Sequence, residues 1–215
     1  MVQDKAVWKK GNAGGGKVDE LHEQLYDAGC IKFGEFKLKS GILSPVYVDF
    51  RVLVSDPKLL KLVAEHIART LDGLQYDRIA ALPYAGLPIG VAVALETGRP
   101  MIYPRKEVKE HGTARLIEGE FKEGERIVVV DDVVTDGATK IEAIKPLEEA
   151  GLKVKDVVII LDREQGGKKI LANAGYTLHS VTTLSEALDA LVRLGKITEN
   201  MLEETMAFIR GHQFG

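Results

Sequence analysis

The chain has 215 residues, of which 45% are hydrophobic and 28% charged, and its formal net charge is -3 at pH 7. This length suits one α/β domain with a sizeable core, and no apolar run approaches the ~20 residues of a membrane span. The negative net charge argues against a general affinity for nucleic acid or an anionic membrane. A single cysteine, Cys30, cannot form an internal disulfide, which is consistent with a cytoplasmic location.

The N-terminal residues differ from the rest of the chain. Residues 1–16 lack hydrophobic periodicity and contain a run of three glycines, so the sequence predicts a flexible tail followed by one domain over residues 17–215. Apolar residues at helical spacing from Val18 onward predict a first helix that ends near Gly29, before an irregular stretch. A second helix is predicted to begin at Pro57, because Ser55 and Asp56 directly before it offer capping side chains.

The remaining sequence alternates between short apolar runs and helical patterns. Strands are predicted at residues 78–82, 101–103, 127–131, 157–161 and 177–181, and helices at 87–96, 139–150, 168–174, 184–194 and 199–210. Thr183 and Glu186 fit a capping box for the penultimate helix. Continuous apolar strands that alternate with helices predict an α/β fold with a doubly wound, mostly parallel sheet. In such folds ligands bind outside the carboxyl ends of the strands.

One segment, residues 127–139, combines features of a phosphate and a sugar site. A buried strand leads through Asp131 and Asp132 into a loop that opens a helix. The loop amides and the hydroxyls of Thr135 and Thr139 can hold a phosphate monoester, and the glycine between them allows close approach. Adjacent carboxylates can accept hydrogen bonds from vicinal ribose hydroxyls. The P-loop and dinucleotide fingerprints are both missing, and a solvated acidic turn is the structural alternative.

Four hydrophobic residues, two acids and the pattern T-x-G-x-T resemble the motif of the type I phosphoribosyltransferases, which bind 5-phosphoribosyl-1-pyrophosphate (PRPP). The resemblance implies the doubly wound sheet of that family, with a small hood formed by the N-terminal segment. It implies that Asp131 and Asp132 hold the ribose hydroxyls. The residues implied in 5-phosphate binding are Val133, Val134, Thr135, Asp136, Gly137, Ala138 and Thr139. Asp136 replaces a small neutral residue, so we expect its side chain to point outward or to weaken the site.

Two other segments are similar to those of the orotate phosphoribosyltransferases. In residues 36–49, the resemblance implies that Lys39 reaches PRPP and orotate, and that Tyr47 and Val48 line the base site together with Thr135 of the motif. In residues 161–167, Arg163 is implied to pair with orotate, and a planar guanidinium can bind two carboxylate oxygens at once. An ordinary turn and a strand-end salt bridge are the respective alternatives.

Residues 105–112 resemble the mobile catalytic loop of this family. Arg105, Lys106, Lys109 and His111 can neutralise the charge that develops on a leaving pyrophosphate, although an exposed charge run is often only a solvated loop. Lys109 and His111 are the main catalytic candidates, together with the two aspartates. The segment 82–88 matches the family's pyrophosphate loop, with contacts expected at Tyr84 and Ala85. Many bacterial members have lysine in place of that alanine, so backbone amides are expected to make the contact.

The resemblance as a whole implies transfer of the phosphoribosyl group to N1 of orotate, which gives orotidine 5'-monophosphate. The loop and turn look closest to the phosphoribosyltransferase half of UMP synthase. Mg²⁺ is expected as cofactor, held mainly by PRPP oxygens, because the sequence offers no cage of protein ligands. A homodimer is implied, with the loop of residues 105–119 acting in the partner's site. Two alternatives stay open: a phosphoribosyltransferase for another nucleobase, and a non-catalytic regulator that senses PRPP.

Overall fold

The computed structural model describes residues 15–37, 41–106 and 116–215, with side chains from residue 19 onward. The helices are α1 (Gly15–Asp27), α2 (Pro57–Leu71), α3 (Gly86–Thr97), α4 (Ala138–Glu149), α5 (Gly167–Asn173), α6 (Leu184–Arg193) and α7 (Glu199–Gly211), with a 3-10 helix at Phe50–Ser55. The strands are β1 (Ile31–Lys37), β2 (Leu43–Val48), β3 (Arg78–Ala81), β4 (Met101–Pro104), β5 (Ile117–Glu118), β6 (Arg126–Val134), β7 (Lys153–Asp162) and β8 (Thr177–Thr183).

The central sheet has the order β5-β4-β3-β6-β7-β8. Its strands pair in parallel, except that β5 runs antiparallel to β4 at the edge. The sheet therefore brings the carboxyl ends of β3, β4, β6 and β7 to one edge, where ligands bind in folds of this type. β1 and β2 form a separate antiparallel pair. The predicted α/β fold with a mostly parallel sheet is confirmed.

Both faces of the sheet are covered. Alternate residues of β6 point to opposite sides, since Val128 and Val130 pack with the helices α1, α2, α3 and α6, whereas Ile127 and Val129 pack with α4 and α5. This double coverage explains the continuous apolar runs in β6 and β7, because neither face of a central strand meets water. None of the helices in the described residues is long and apolar enough to cross a membrane.

Two predicted helix starts are confirmed in atomic detail. Asp56, the residue before α2, accepts hydrogen bonds from the amides of Lys58 and Leu59 in the first turn of the helix. Thr183 and Glu186 form the predicted capping box of α6. Both motifs satisfy amides that the first turn of a helix leaves without intrahelical partners.

The prediction was wrong for the stretch that follows the first helix. Residues 31–37 and 43–48 form the antiparallel pair of β1 and β2 instead of irregular chain. β1 has a bulge between Phe33 and Phe36, and Ile31 is its one buried residue, so the alternating pattern of a strand is weak there. Helix α1 begins at Gly15, within the predicted tail, and residues 1–14 lie outside the described part of the chain.

Candidate active site

A cleft of about 640 Å³ opens at the carboxyl edge of the sheet. Its walls come from the segment after β3, the end of β4, the end of β6 and the first turns of α4. Eight of the predicted site residues line it: Val48, Tyr84, Ala85, Arg105, Lys106, Asp131, Asp132 and Thr139. The predictions for the sugar and the pyrophosphate therefore meet in one place, although they come from segments far apart in sequence.

The acidic pair, a buried Asp131 and a half-buried Asp132, is held in place by local bonds. Asp131 is only 6% exposed, and its carboxylate accepts hydrogen bonds from the amide of Asp132 and from the ammonium group of Lys140. Asp132 accepts from the amide of Val133 at 2.8 Å. Burial, and then the neighbouring charge of Asp131, raise the pKa of Asp132 to about 7, while the charge of Lys140 opposes the rise.

Lys140 was missed by the sequence reasoning. It stands one residue after the motif, in the first turn of α4, and is 8% exposed. Its ion pair with Asp131 is a buried contact in which the two side chains are 10% and 8% exposed. The sequence held a usable signal, because a side chain in the first turn of a helix points back toward the strand that leads into it.

The segment after β3 lies against the acidic pair. A Cβ atom on Gly86 would be 2.9 Å from Oδ1 of Asp131 and 3.0 Å from the carbonyl oxygen of Val130, so only glycine fits at this position. The peptide bond between Pro83 and Tyr84 is cis. Tyr84 is 61% exposed, and the ammonium group of Lys106 lies 5.1 Å from the centre of its ring. Gly86 thus brings the predicted pyrophosphate segment into contact with the predicted ribose site.

The cations at the rim of the cleft differ in their partners. Arg105 forms an ion pair with Glu118 of β5, and its amide donates to the carbonyl oxygen of Leu116 at 2.7 Å. Lys106 faces Tyr84 instead. Lys109 and His111, the two main catalytic candidates, fall within residues 107–115, outside the described part of the chain, so their roles stay predictions.

Asp136 turns back onto its own loop. Its carboxylate accepts a hydrogen bond from the amide of Ala138 at 3.1 Å, just where α4 begins. The side chain therefore neither points fully outward nor stands free at the loop. It uses one of the amides that the first turn of a helix offers to an anion. Val134 has a side chain that is 1% exposed and part of the core, so only its backbone can face a ligand.

A second loop is tied to this phosphate loop. The amide of Arg163 donates to the carbonyl oxygen of Val134 at 3.0 Å. The amide of Gly167 donates to the carbonyl oxygen of Thr135, also at 3.0 Å. Arg163 is 8% exposed, and burial lowers its pKa. Among the described residues, its Nε and Nη2 atoms have no hydrogen-bond partner. A buried guanidinium without a partner is costly, which favours an anionic ligand at this position.

Tyr47 belongs to the hairpin and lies beside the cleft. Its ring stacks on Phe36 with the centroids 5.4 Å apart, and its hydroxyl accepts a hydrogen bond from Arg51 at 3.0 Å. Arg51 is in turn held by Asp49 through bonds of 2.7 and 2.8 Å. Arg51 and Asp49 line the cleft but were not predicted. Lys39 of the same segment lies outside the described residues.

The described residues contain no group of three or more His, Cys, Asp or Glu side chains placed to hold a metal ion. Of the two carboxylates at the floor of the cleft, Asp131 is already engaged by Lys140. This donor set fits a magnesium ion whose ligands come mostly from a phosphorylated substrate.

Comparisons with known proteins show the family to which the chain is similar. The family model for the phosphoribosyl transferase domain matches residues 53–191. The chain is 40% identical to the orotate phosphoribosyltransferase of Pyrococcus furiosus, an alignment that covers 80% of this chain and 96% of the relative. It is 44% identical to the bifunctional enzyme PyrF/PyrE of Nostoc sp. over 85% of the chain. A solved structure of Leishmania donovani UMP synthase aligns with a TM-score of 0.84 at 42% identity, covering 92% of this chain and 43% of that one. The chain thus spans about two-fifths of the length of such larger relatives, since its alignment covers 39% of the Nostoc protein.

Proposed function

The chain belongs to the orotate phosphoribosyltransferase family, and we propose that it transfers the 5-phosphoribosyl group of PRPP to N1 of orotate, giving orotidine 5'-monophosphate and pyrophosphate. It is a pentosyltransferase of pyrimidine biosynthesis. The observation that carries the proposal is the acidic pair Asp131 and Asp132, which shares one cleft with the pyrophosphate segment at Tyr84 and Ala85.

The acidic pair acts on the ribose. Its carboxylates accept hydrogen bonds from the 2- and 3-hydroxyls and so fix the sugar ring. The bond between C1 and the pyrophosphate oxygen then breaks with its electron pair on pyrophosphate, N1 of orotate bonds to C1, and the N1 proton is released. Positive charge on the ring is stabilised by carboxylates in a buried, pre-organised position. Lys140 fixes the geometry of Asp131, whose carboxylate it contacts.

The leaving pyrophosphate is met by cations and amides at the rim. Lys106 lies beside Tyr84 at the mouth of the cleft, and Arg105 lines the same wall. We assign Lys109 and His111 to stabilise or protonate the leaving group. Magnesium, held mainly by PRPP oxygens, supplies further charge neutralisation. The 5-phosphate is assigned to the loop from Val133 to Thr139.

Orotate recognition rests on the second loop and the hairpin. Arg163 offers a planar fork to a carboxylate, and its buried nitrogens lack a partner among the described residues. Tyr47 offers an aromatic face, and Val48 lines the cleft next to it. Lys39 and Thr135 complete the proposed base site. Uracil has no carboxylate, so it would leave the guanidinium buried and unpaired, and the site should reject it.

A homodimer is also proposed. Helix α3 exposes Val91 and Leu95 by 48% and 81%, although it is apolar along most of its length. Exposed apolar residues on one helix suit a contact with a second copy of the chain. In such a dimer the loop of residues 105–119 acts in the partner's site. A cytoplasmic location fits a soluble biosynthetic enzyme and is part of the proposal.

The test is the loss of orotate absorbance with PRPP and magnesium. Parallel reactions with uracil, adenine and hypoxanthine separate this function from transfer to another base. The Lys109→Ala variant tests the catalytic loop and should lose most of its kcat. An absence of turnover with all four bases, in a protein that still binds PRPP, would support a regulator instead of an enzyme.

A further inference from the structure

The last four residues of the chain fold back onto the loop that carries Arg163. We call residues 212–215 the C-terminal tail and residues 163–166 the Arg163 turn. The amide of Phe214 donates to the carbonyl oxygen of Gln165 at 2.9 Å. In the opposite direction, Nε2 of Gln165 donates to the carbonyl oxygen of His212 at 2.9 Å. A third bond joins Nε2 of Gln213 to the carbonyl oxygen of Glu164 at 2.9 Å.

The contact is close and leaves no space between the two segments. Gln165 is 3% exposed, so its bond to the tail is shielded from water. A Cβ atom added to Gly166 would lie 2.0 Å from the carbonyl oxygen of Phe214, which means that any other residue there would displace the tail or the turn. The tail itself is fixed to α7, because the His212 ring stacks on Phe208 at 4.1 Å.

The turn is held on its other side as well. The carboxylate of Glu164 accepts hydrogen bonds from the amide and the hydroxyl of Ser185, at 2.7 and 2.9 Å. Glu164 has a φ of 60°, a left-handed conformation that is unfavourable for this residue type. A strained turn persists only where its surroundings determine it. Here the surroundings are α6 on one side and the C-terminal tail on the other.

This arrangement bears on Arg163. Among the described residues, no side chain bonds Nε or Nη2 of its guanidinium. Hydrogen bonds therefore do not hold these two nitrogens, whereas they do hold the backbone of the turn, whose first amide donates to Val134. The amide of Glu164 is bonded to Asp162 and the carbonyl of Gly166 to the first turn of α5, and the tail adds the bonds to Glu164 and Gln165.

We propose that the C-terminal tail is a positioning element of the orotate site, which fixes the Arg163 turn so that the guanidinium is aligned before the base arrives. This inference rests on the proposed role of Arg163 in orotate binding. Pre-organised placement lowers the ordering cost of binding, so loss of the tail contacts should weaken orotate specifically.

The main variant is Gln213→Ala in the full chain, which removes the bonds to Glu164 and to the end of α7. Loss of such hydrogen bonds should raise the KM for orotate about two- to tenfold. The kcat and the KM for PRPP should stay within about twofold. The matched control is Lys169→Ala, because the Lys169 side chain also bonds the tail, at Gly215, whereas its contact with the turn is a backbone bond to Gly166 that alanine keeps. Its orotate KM should equal that of the native chain.

A double-mutant cycle separates positioning from general stability. If the tail acts through Arg163, then Gln213→Ala should add nothing to the orotate KM in an Arg163→Ala background. Equal effects of Gln213→Ala in both backgrounds would overturn the inference. If Arg163→Ala raises the orotate KM but Gln213→Ala does not, the tail inference alone fails. If Arg163→Ala has no effect on orotate, the proposed role of Arg163 fails, and the inference falls with it.

A second pair of variants displaces the tail by a different route. Gly166→Ala inserts a methyl group against Phe214, and Gly175→Ala tests the same type of backbone, since its φ is 94° with nothing within 4 Å of the added atom. Gly166→Ala should raise the KM for orotate, and Gly175→Ala should not. A rise of the same size in both variants would contradict the inference, because it would reflect backbone strain alone.

Discussion

Replacing Lys140 by methionine is the sharpest test of the acidic pair. Methionine keeps most of the apolar volume of lysine and removes the charge. The native ion pair with Asp131 joins side chains that are 10% and 8% exposed, so the variant leaves a carboxylate buried without its partner. Removing one member of such a buried pair destabilises a protein by about 3–5 kcal/mol. Urea unfolding followed by circular dichroism measures this loss.

A control variant and a double variant complete this test. Lys145→Met alters an exposed lysine of α4 and should change the free energy of unfolding by less than about 0.5 kcal/mol. The double variant Asp131→Asn with Lys140→Met removes both charges, so it should be more stable than Lys140→Met alone. If Lys140→Met unfolds within about 1 kcal/mol of the native chain, the buried pair does not make the contribution argued above.

The same variant should also change the pH profile of the reaction. The charge of Lys140 opposes the rise in the pKa of Asp132. Without it, this pKa rises further, so the acidic limb of kcat/KM for PRPP should move to higher pH. The limb should stay in place in Lys145→Met. An unchanged limb in Lys140→Met would refute the electrostatic role of this lysine.

Three further outcomes follow from the structure. Because the pKa of Asp132 is raised to about 7, the folded state keeps a proton that the unfolded state releases near pH 3.8. Asp132 therefore makes the free energy of unfolding fall as the pH rises from 3.8 to about 7. Urea unfolding between about pH 4 and 8 should show a smaller fall in Asp132→Asn than in the native chain. Asp136→Ser removes a carboxylate from the phosphate loop, and calorimetry should find tighter PRPP binding; weaker binding would contradict the argument. Burial raises the pKa of Cys30 to about 12, so iodoacetamide at pH 8 should label it only after unfolding.

The parts of the site that lie in one continuous segment could be predicted from the sequence. The pattern from Val128 to Thr139 contains a strand, its end and the following helix, so the chain itself places Asp131 and Asp132 at the carboxyl edge. The role of Gly86 was not predicted, because it depends on a contact with a strand more than forty residues away. The hairpin was missed for a related reason, since most of β1 is not buried and its pattern is interrupted by a bulge.

The two halves of the site differ in what determines their geometry. The ribose half is built mainly by local chain continuity and a parallel sheet, with Gly86 packed against Asp131. The base half depends on contacts between distant segments, since the turn at Arg163 is bonded to Val134, to Ser185 and to Phe214 with Gln213. A change far from the chemistry, such as one at the C-terminal tail, can therefore alter which base is accepted while the phosphoribosyl site stays intact. For this reason orotate selectivity should vary more readily than PRPP binding under substitution.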